Sequence, residues 1–295
     1  MFVMPAHAKV NLCLAVRGHR PDGFHDIDSV ALRIDWHDLV GLRLEPSAAT
    51  RVRLRVTGED GMAPPGDTNL AARAAQAVAA MAGPFDIDVW LDKRVPGAAG
   101  LGSGSGDAAA VLRGCFALLA AGGSWSTSAP FHDGATMRQL ASSLGSDVPM
   151  LLAGGAHRMR GRGELLSTVA AATSLHLVVA VVGASSTAAT YAAVRSSDLE
   201  DESRGDAVAA ALEAGDRPDD DILGSGLEAA ACRANPALGE GLAALRASLP
   251  MVRWHLTGSG GAAFALAGSA ADARELAIAT RDAGCAARAC RTVGG

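Results

Sequence analysis

Lysine is almost missing from this chain: of its 26 Lys and Arg residues only Lys9 and Lys93 are lysine. Arginine serves as the default cation, so the two exceptions point to positions that want a compact ammonium, not a planar fork. Aromatic rings are few as well, with six Phe, four Trp and one Tyr, and a flat ligand bound by stacking has few partners to choose from. The five cysteines, Cys13, Cys115, Cys232, Cys285 and Cys290, are odd in number and form no C-x-x-C pair. That excludes a disulfide framework and a zinc site and leaves reduced, mostly buried thiols. There is no basic stripe or acidic tail, and the net charge is −5, which argues against nucleic acid as a partner. No apolar run approaches the roughly twenty residues that span a bilayer, and the first dozen residues lack a charged leader before an apolar core. The expectation is a cytoplasmic protein that handles a small molecule, without nucleic acid or membrane, as a monomer or weak homodimer.

What is present fits two domains. The chain has 295 residues, 49% of them hydrophobic, long for one core and short for three. Residues Val3 to Leu44 are strand-rich, with apolar Val10, Leu12, Leu14 and Val16 alternating and a turn at Arg20-Pro21-Asp22-Gly23. Strands are expected over Asp38 to Leu44 and Arg51 to Val56, and a helix over Asn69 to Met81 after a turn at Pro64 to Asp67. Phe85, Ile87, Val89 and Leu91 alternate as in a half-buried strand. Trp125 to His132 is expected as a loop and Ala135 to Leu144 as a helix ending before Pro149, which biases Val148 away from helix. Beyond Gly154-Gly155, strands are expected over His176 to Val182, Val252 to Leu256 and Ala262 to Leu266. Helices are expected over Ala207 to Gly215, Gly224 to Arg233 and Ala270 to Ala283. The fold class is therefore α+β, with domains at 1–154 and 155–295.

The most informative segment is P-G-A-A-G-L-G-S-G-S-G-D-A-A-A, Pro96 to Ala110, running into an apolar helical stretch, Val111 to Leu119. Gly100, Gly102, Gly104 and Gly106 carry no side chain to keep a bulky anion off the backbone. At a helix start, unpaired amides and the positive end of the dipole make a phosphate site. Two familiar phosphate loops do not fit: there is no lysine for G-x-x-x-x-G-K-[ST], and G-x-G-x-x-G fails at Ser105 and Asp107. Asp107 is placed to cap the helix.

With Lys9, Asp147 and the loop Thr257 to Gly261, this segment supplies the parts of a phosphoryl transferase. The chain resembles the GHMP kinases, whose signature is P-x-x-x-G-L-G-S/G-S/G-S. The matching segments are A-H-A-K-V-N-L-C-L at 6 to 14, R-P-D-G-F-H at 20 to 25, D-T-N-L at 67 to 70 and K-R-V-P-G-A-A-G-L-G-S-G-S-G-D-A-A-A at 93 to 110. L-G-S-D-V-P at 144 to 149, S-T-A-A-T-Y at 186 to 191 and T-G-S-G-G-A-A-F at 257 to 264 complete them. D-G-F-H and G-S-D-V-P narrow the resemblance to the branch whose acceptor is 4-diphosphocytidyl-2-C-methyl-D-erythritol, in non-mevalonate isoprenoid precursor synthesis.

That resemblance implies a two-domain architecture, a ribosomal protein S5 domain 2-like ATP-binding domain followed by a ferredoxin-like one, with the active site in the cleft between them. It implies ATP and Mg²⁺, and transfer to the 2-hydroxyl of the acceptor. Lys9 and Asp147 match the catalytic pair. Asn69, Lys93, Pro96, Gly100, Leu101, Gly102, Ser103, Gly104, Ser105 and Gly106 match nucleotide positions, with Ser105 nearest Mg²⁺. Asn11, Phe24, His25, Tyr191, Gly258 and Ser259 match acceptor-binding positions; Phe24 and Tyr191 sandwich the cytosine and His25 reads its edge. The chain departs from the branch at Gly183 to Thr187 and at Gly224 to Glu228, where the substrate's non-reacting end is expected. A GHMP kinase for another sugar alcohol or secondary-metabolite hydroxyl, and a nucleotide-binding protein without catalysis, are the alternatives.

Overall fold

A computed structural model describes residues 1–58, 66–121 and 134–294. The expected turn at Pro64 and the loop Trp125 to His132 lie outside the described residues. The chain divides into two compact units: Met1–Ala8, Trp36–Gly97 and Gly102–Ala153 form the first, and Lys9–Asp35, Ala98–Leu101 and Gly154–Gly295 the second.

The elements begin with two long strands, β1 (Phe2–His19) and β2 (His25–Pro46), whose residues are divided between the units. β3 (Arg51–Gly58), α1 (Leu70–Ala82), β4 (Phe85–Lys93), α2 (Ser103–Ala121), α3 (Gly134–Leu144) and α4 (Val148–Ala153) follow in the first unit. There the outer half of β2 pairs antiparallel with β4, Leu42 opposite Val89, and β3 pairs parallel with β4 at the edge. Phe85, Ile87, Val89 and Leu91 are all buried, as the alternation requires. The small face of α1 packs on α2, β3 and β4, and α2 packs on α3 and α4. Helix α2 is long and apolar enough to cross a membrane by length and composition alone, yet most of it is buried within the protein.

The second unit adds β5 (Ala156–Gly161), β6 (Leu165–Val169), β7 (His176–Val181), α5 (Thr187–Ala192), α6 (Gly205–Ala214), β8 (Gly224–Ser225) and α7 (Glu228–Ala234). It closes with α8 (Pro236–Ser248), β9 (His255–Leu256), β10 (Ala262–Ala267), α9 (Ala270–Asp282) and β11 (Ala286–Arg291). β5 joins the inner half of β2 antiparallel, and β8 lies parallel to β1, Cys13 opposite Gly224. A second sheet has the order β11-β7-β10-β9, with α9 across β7, β10 and β11. Its core gathers Val178, Ala180, Leu238, Leu242, Trp254 and Ala263. All five cysteines are unpaired.

The compact units differ in outline from the domains expected at 1–154 and 155–295. The chain does cross between them at Ala153/Gly154, where two glycines take positive φ, but Lys9–Asp35 and Ala98–Leu101 belong with the later residues. The reason is strand length: β1 and β2 run on past the first unit to pair with β8 and β5. Val148 opens a helix despite Pro149, because a proline in the first turn gives up an amide that has no helical partner. The expected helix from Gly224 begins only at Glu228, after the short strand β8.

Candidate functional site

In the first unit the glycine segment turns into helix earlier than its apolar stretch indicated, at Ser103. Gly102 is left-handed (φ 68°), and its carbonyl accepts the Gly106 amide at 2.8 Å, the first helical hydrogen bond. Of the four alternating glycines only Gly100 and Gly102 use positive φ. Gly106 is small for another reason: a Cβ there would lie 2.4 Å from the His7 carbonyl of β1. A Cβ on Gly104 would meet nothing closer than a Leu70 methyl at 3.8 Å. The first turn of α2 thus presents amides beside an exposed glycine and the half-buried Ser105, the geometry that favours an anion. Pro96 is half-buried just before the loop. Asn69 is buried as the N-cap of α1, its side chain accepting the Ala71 amide at 2.9 Å.

Beneath that turn lies a buried ionic cluster. Lys93, at the end of β4, donates to Asp107 at 2.6 Å, to the Ser103 hydroxyl at 2.6 Å, and to Asp38. Asp38 also accepts the Ser103 hydroxyl at 3.0 Å and the Arg94 and Val95 amides at 2.5 and 2.8 Å. The two carboxylates share one ammonium and are held unequally. Asp38 has four donors; among the described residues Asp107 has Lys93 alone, and its Oδ1 has no partner. Burial pushes the Asp107 carboxyl up to about 7, opposed by Lys93 and reinforced by Asp38. Asp107 therefore does not cap α2, as its position had indicated; it lies within the helix and faces inward. Ser103 and Lys93, expected at the nucleotide, have their polar atoms turned into this cluster. Asp147 stands at the head of α4, half-buried, its carbonyl accepting the Leu151 amide at 3.1 Å.

The second unit holds the rest. Lys9, on β1, is buried; its amide donates to the Leu101 carbonyl at 2.9 Å and its ammonium to Asn11 Oδ1 at 2.5 Å. Asn11 in turn donates from Nδ2 to Ser29 Oγ at 2.8 Å, and its amide donates to the Thr257 hydroxyl at 2.8 Å. The loop Thr257 to Gly261 is threaded against Ala98–Leu101 at backbone distance. A Cβ on Gly100 would lie 2.3 Å from the Gly260 carbonyl, and one on Gly261 2.5 Å from Ala99 Cα. Gly258, Gly260 and Gly261 all have positive φ, as does Ala98 at 54°, a conformation unfavourable for alanine. The Ser185 amide secures it by donating to the Ala98 carbonyl at 2.7 Å.

Both segments that depart from the family pattern brace this loop. Ser185 donates to the Ser259 carbonyl at 2.6 Å, Thr187 shares a hydrogen bond with the Ser259 hydroxyl at 2.9 Å, and Ser225 donates to the Gly258 carbonyl at 2.6 Å. The hydroxyls of Ser185, Thr187 and Ser225 thus form a polar scaffold around the loop.

His25 is buried against Tyr191, ring centroids 5.2 Å apart, and against His19 at 4.3 Å. Burial and, second, the charge of His19 hold its pKa below the usual imidazole value, and its Nε2 has no hydrogen-bond partner among the described residues. Phe24, 52% exposed, carries the Arg162 guanidinium over its ring at 4.8 Å. A neutral imidazole with an unsatisfied edge beside the Tyr191 ring suits a flat heterocycle.

Asp38 and Ser29 were not evident from sequence. Asp38 interrupts the buried row Trp36, Val40, Leu42 and Leu44, and a carboxylate on an apolar face without a partner is costly, which is the signal that was there to find. Ser29 carries no such mark.

A glycine turn leading into an amide-rich helix start, and a second glycine loop bracing its approach, define a GHMP kinase. Residues 69–155 match the GHMP kinases N terminal domain. Within that class the chain belongs to the 4-diphosphocytidyl-2-C-methyl-D-erythritol kinase family. The kinase of that name from Pelotomaculum thermopropionicum is 39% identical over 238 residues, 80% of this chain and 78% of its own. That from Salinispora arenicola is 37% identical over 282 residues, 92% of this chain and 84% of its own. A crystal structure of 4-(cytidine 5'-diphospho)-2C-methyl-D-erythritol kinase superposes with a TM-score of 0.78 at 34% identity, covering 100% of both chains.

Proposed function

We propose that the chain transfers the γ-phosphoryl of ATP to the 2-hydroxyl of 4-diphosphocytidyl-2-C-methyl-D-erythritol. The observation that carries this reading is the family likeness over the whole length, 34% identity with a solved structure of that kinase. Asp147 takes the proton of the acceptor hydroxyl as its oxygen bonds to the γ-phosphorus; the β,γ-bridging P–O bond breaks and ADP leaves. Lys9 offsets the negative charge on the reacting oxygens. General-base help of this kind is worth about a hundredfold to ten-thousandfold.

Gly100, Leu101, Gly102, Gly104, Ser105 and Gly106 hold the nucleotide phosphates, supported by the open first turn of α2, while Pro96 and Asn69 border them. Ser103 and Lys93 contribute by fixing the shape of that turn. Among the described residues no three His, Cys, Asp or Glu side chains converge on a metal position. The Ser105 hydroxyl is the side chain that would hold Mg²⁺, which would supply charge neutralisation at the phosphates. Phe24 and Tyr191 stack the cytosine and the unsatisfied edge of His25 reads it; Asn11, Gly258 and Ser259 face the methylerythritol end. The enzyme acts in the cytoplasm as a monomer or weak homodimer. Incubating the purified protein with ATP, Mg²⁺ and the diphosphocytidyl acceptor is expected to release ADP. A folded sample giving none above background rejects the reading.

A further inference from the structure

We propose that Ser29 is a positioning residue for phosphoryl transfer: its hydroxyl sets which way the Asn11 amide points and so where Lys9 holds its ammonium. The inference rests on the role proposed for Lys9. Ser29 lies on β2 and is fully buried. Its Oγ sits 2.7 Å from the Cys13 carbonyl oxygen, which can only accept, so the one hydroxyl proton is used there. Towards Asn11, 2.8 Å away, Ser29 offers lone pairs alone. The atom of Asn11 facing Ser29 must then be the NH₂ group, and the amide oxygen is turned to the Lys9 ammonium, 2.5 Å away. Reversing the amide would set oxygen against the Ser29 lone pairs and NH₂ donors against an ammonium that can only donate. A single buried proton, given to the backbone of β1, thus fixes the polarity of a three-residue relay.

The rest of Asn11 is held equally firmly. Its amide donates to Thr257 Oγ1 at 2.8 Å, and its carbonyl accepts from the same hydroxyl at 3.3 Å. Beside the relay, a Cβ on Gly258 would come within 2.9 Å of Asn11 Oδ1 and 3.1 Å of Lys9 Nζ. Ser29 touches neither nucleotide nor acceptor in this scheme and acts through Asn11 alone.

The test is steady-state kinetics on the full chain, with ATP and the diphosphocytidyl acceptor, for Ser29→Ala, Ser29→Thr, Asn11→Ala and the double variant Ser29→Ala/Asn11→Ala. Ser29→Ala is expected to lower kcat roughly ten- to a hundredfold, the range that misplacing a supporting group costs, with the KM for ATP unchanged. Ser29→Thr, which keeps the hydroxyl, is expected to restore most of it. In the Asn11→Ala background the same change is expected to cost little more, since both lie on one relay. A Ser29→Ala kcat within twofold of wild type, or an undiminished effect in the Asn11→Ala background, overturns the proposal. If Ser29→Ala does not fold, Asn11→Asp decides: it keeps an oxygen towards Lys9 but offers Ser29 no donor, so full turnover overturns the proposal and reduced turnover supports it. A second readout does not depend on which alcohol is phosphorylated. By nitrogen-edited NMR the Asn11 side-chain amide protons exchange slowly in wild type and rapidly in Ser29→Ala; equal rates overturn the proposal. Loss of wild-type turnover with that contrast intact rejects the substrate reading and leaves the relay standing.

Discussion

The two lysines of this chain sit in opposite kinds of surroundings. Both are buried, Lys9 at 5% and Lys93 at 3% exposure. Lys93 is enclosed by two carboxylates and a hydroxyl, and its partners tie β2, β4 and α2 together. Lys9 is steered by a neutral amide, whose orientation depends on a serine. A carboxylate cage takes up an ammonium's charge in holding a helix start, whereas a neutral amide oxygen directs an ammonium by a hydrogen bond without neutralising it. Burial alone does not separate the two lysines; the chemistry of their acceptors, carboxylates for Lys93 and an amide for Lys9, does.

The largest effect that bears on this contrast is expected from Lys93→Met, which strands Asp38 and Asp107. Loss of one partner of a buried pair costs about 3–5 kcal/mol, read as a lowered midpoint in urea unfolding. A midpoint like that of wild type would erase the distinction. Lys9→Met is expected to do the reverse, cutting kcat at least about a hundredfold with a smaller stability loss than Lys93→Met, and unfolding curves run beside kinetics check both halves. Asp147→Asn should match that loss of kcat while the Kd for ATP, measured by calorimetry, barely moves.

Asp107 gives a subtler probe. Its folded pKa, about 7, lies above the ordinary 3.8, so the folded state binds the extra proton. The stability this contributes is full below about pH 4 and is lost as pH rises through 7. Asp107→Asn imitates the protonated form, so between pH 5 and 8 wild type should lose about 1 kcal/mol or more of unfolding free energy relative to the variant, read by urea unfolding at each pH. A difference that does not change with pH would show that Asp107 is ionised throughout. The smallest effect is expected from Ser103→Ala, about 1 kcal/mol for a lost buried hydrogen bond, with the KM for ATP nearly unchanged; a large rise in KM would mean that the hydroxyl leaves the cluster to meet the nucleotide.

Much of the fold was legible because its signals are local. Alternation gave β4 its extent, and Gly100 and Gly102 marked a turn that needs positive φ. The helix start was misplaced because Ser103 to Gly106 look like loop by composition, whereas close approach to β1 is what makes Gly106 small. The places where β1 and β2 change partners were illegible for a different reason. Nothing in the run from Phe2 to Pro46 marks where β1 and β2 exchange partners, because partner choice is decided by β5 and β8, more than a hundred residues away. Lys9, Lys93 and Tyr191 stood out in the sequence because their residue types are rare there. Asp38 and Ser29 were missed because their partners, Lys93 and Asn11, become neighbours only when strands pair.

The contact between Ala98–Leu101 and Thr257–Gly261 has a practical corollary. A chain cut at the inviting Gly154-Gly155 junction would carry Ala98–Leu101 on one fragment and the loop moulded against it, Thr257–Gly261, on the other. Neither half could be borrowed as a portable nucleotide module, and a grafted loop would need its distant counterpart supplied alongside. Modularity here ends where two glycine backbones touch.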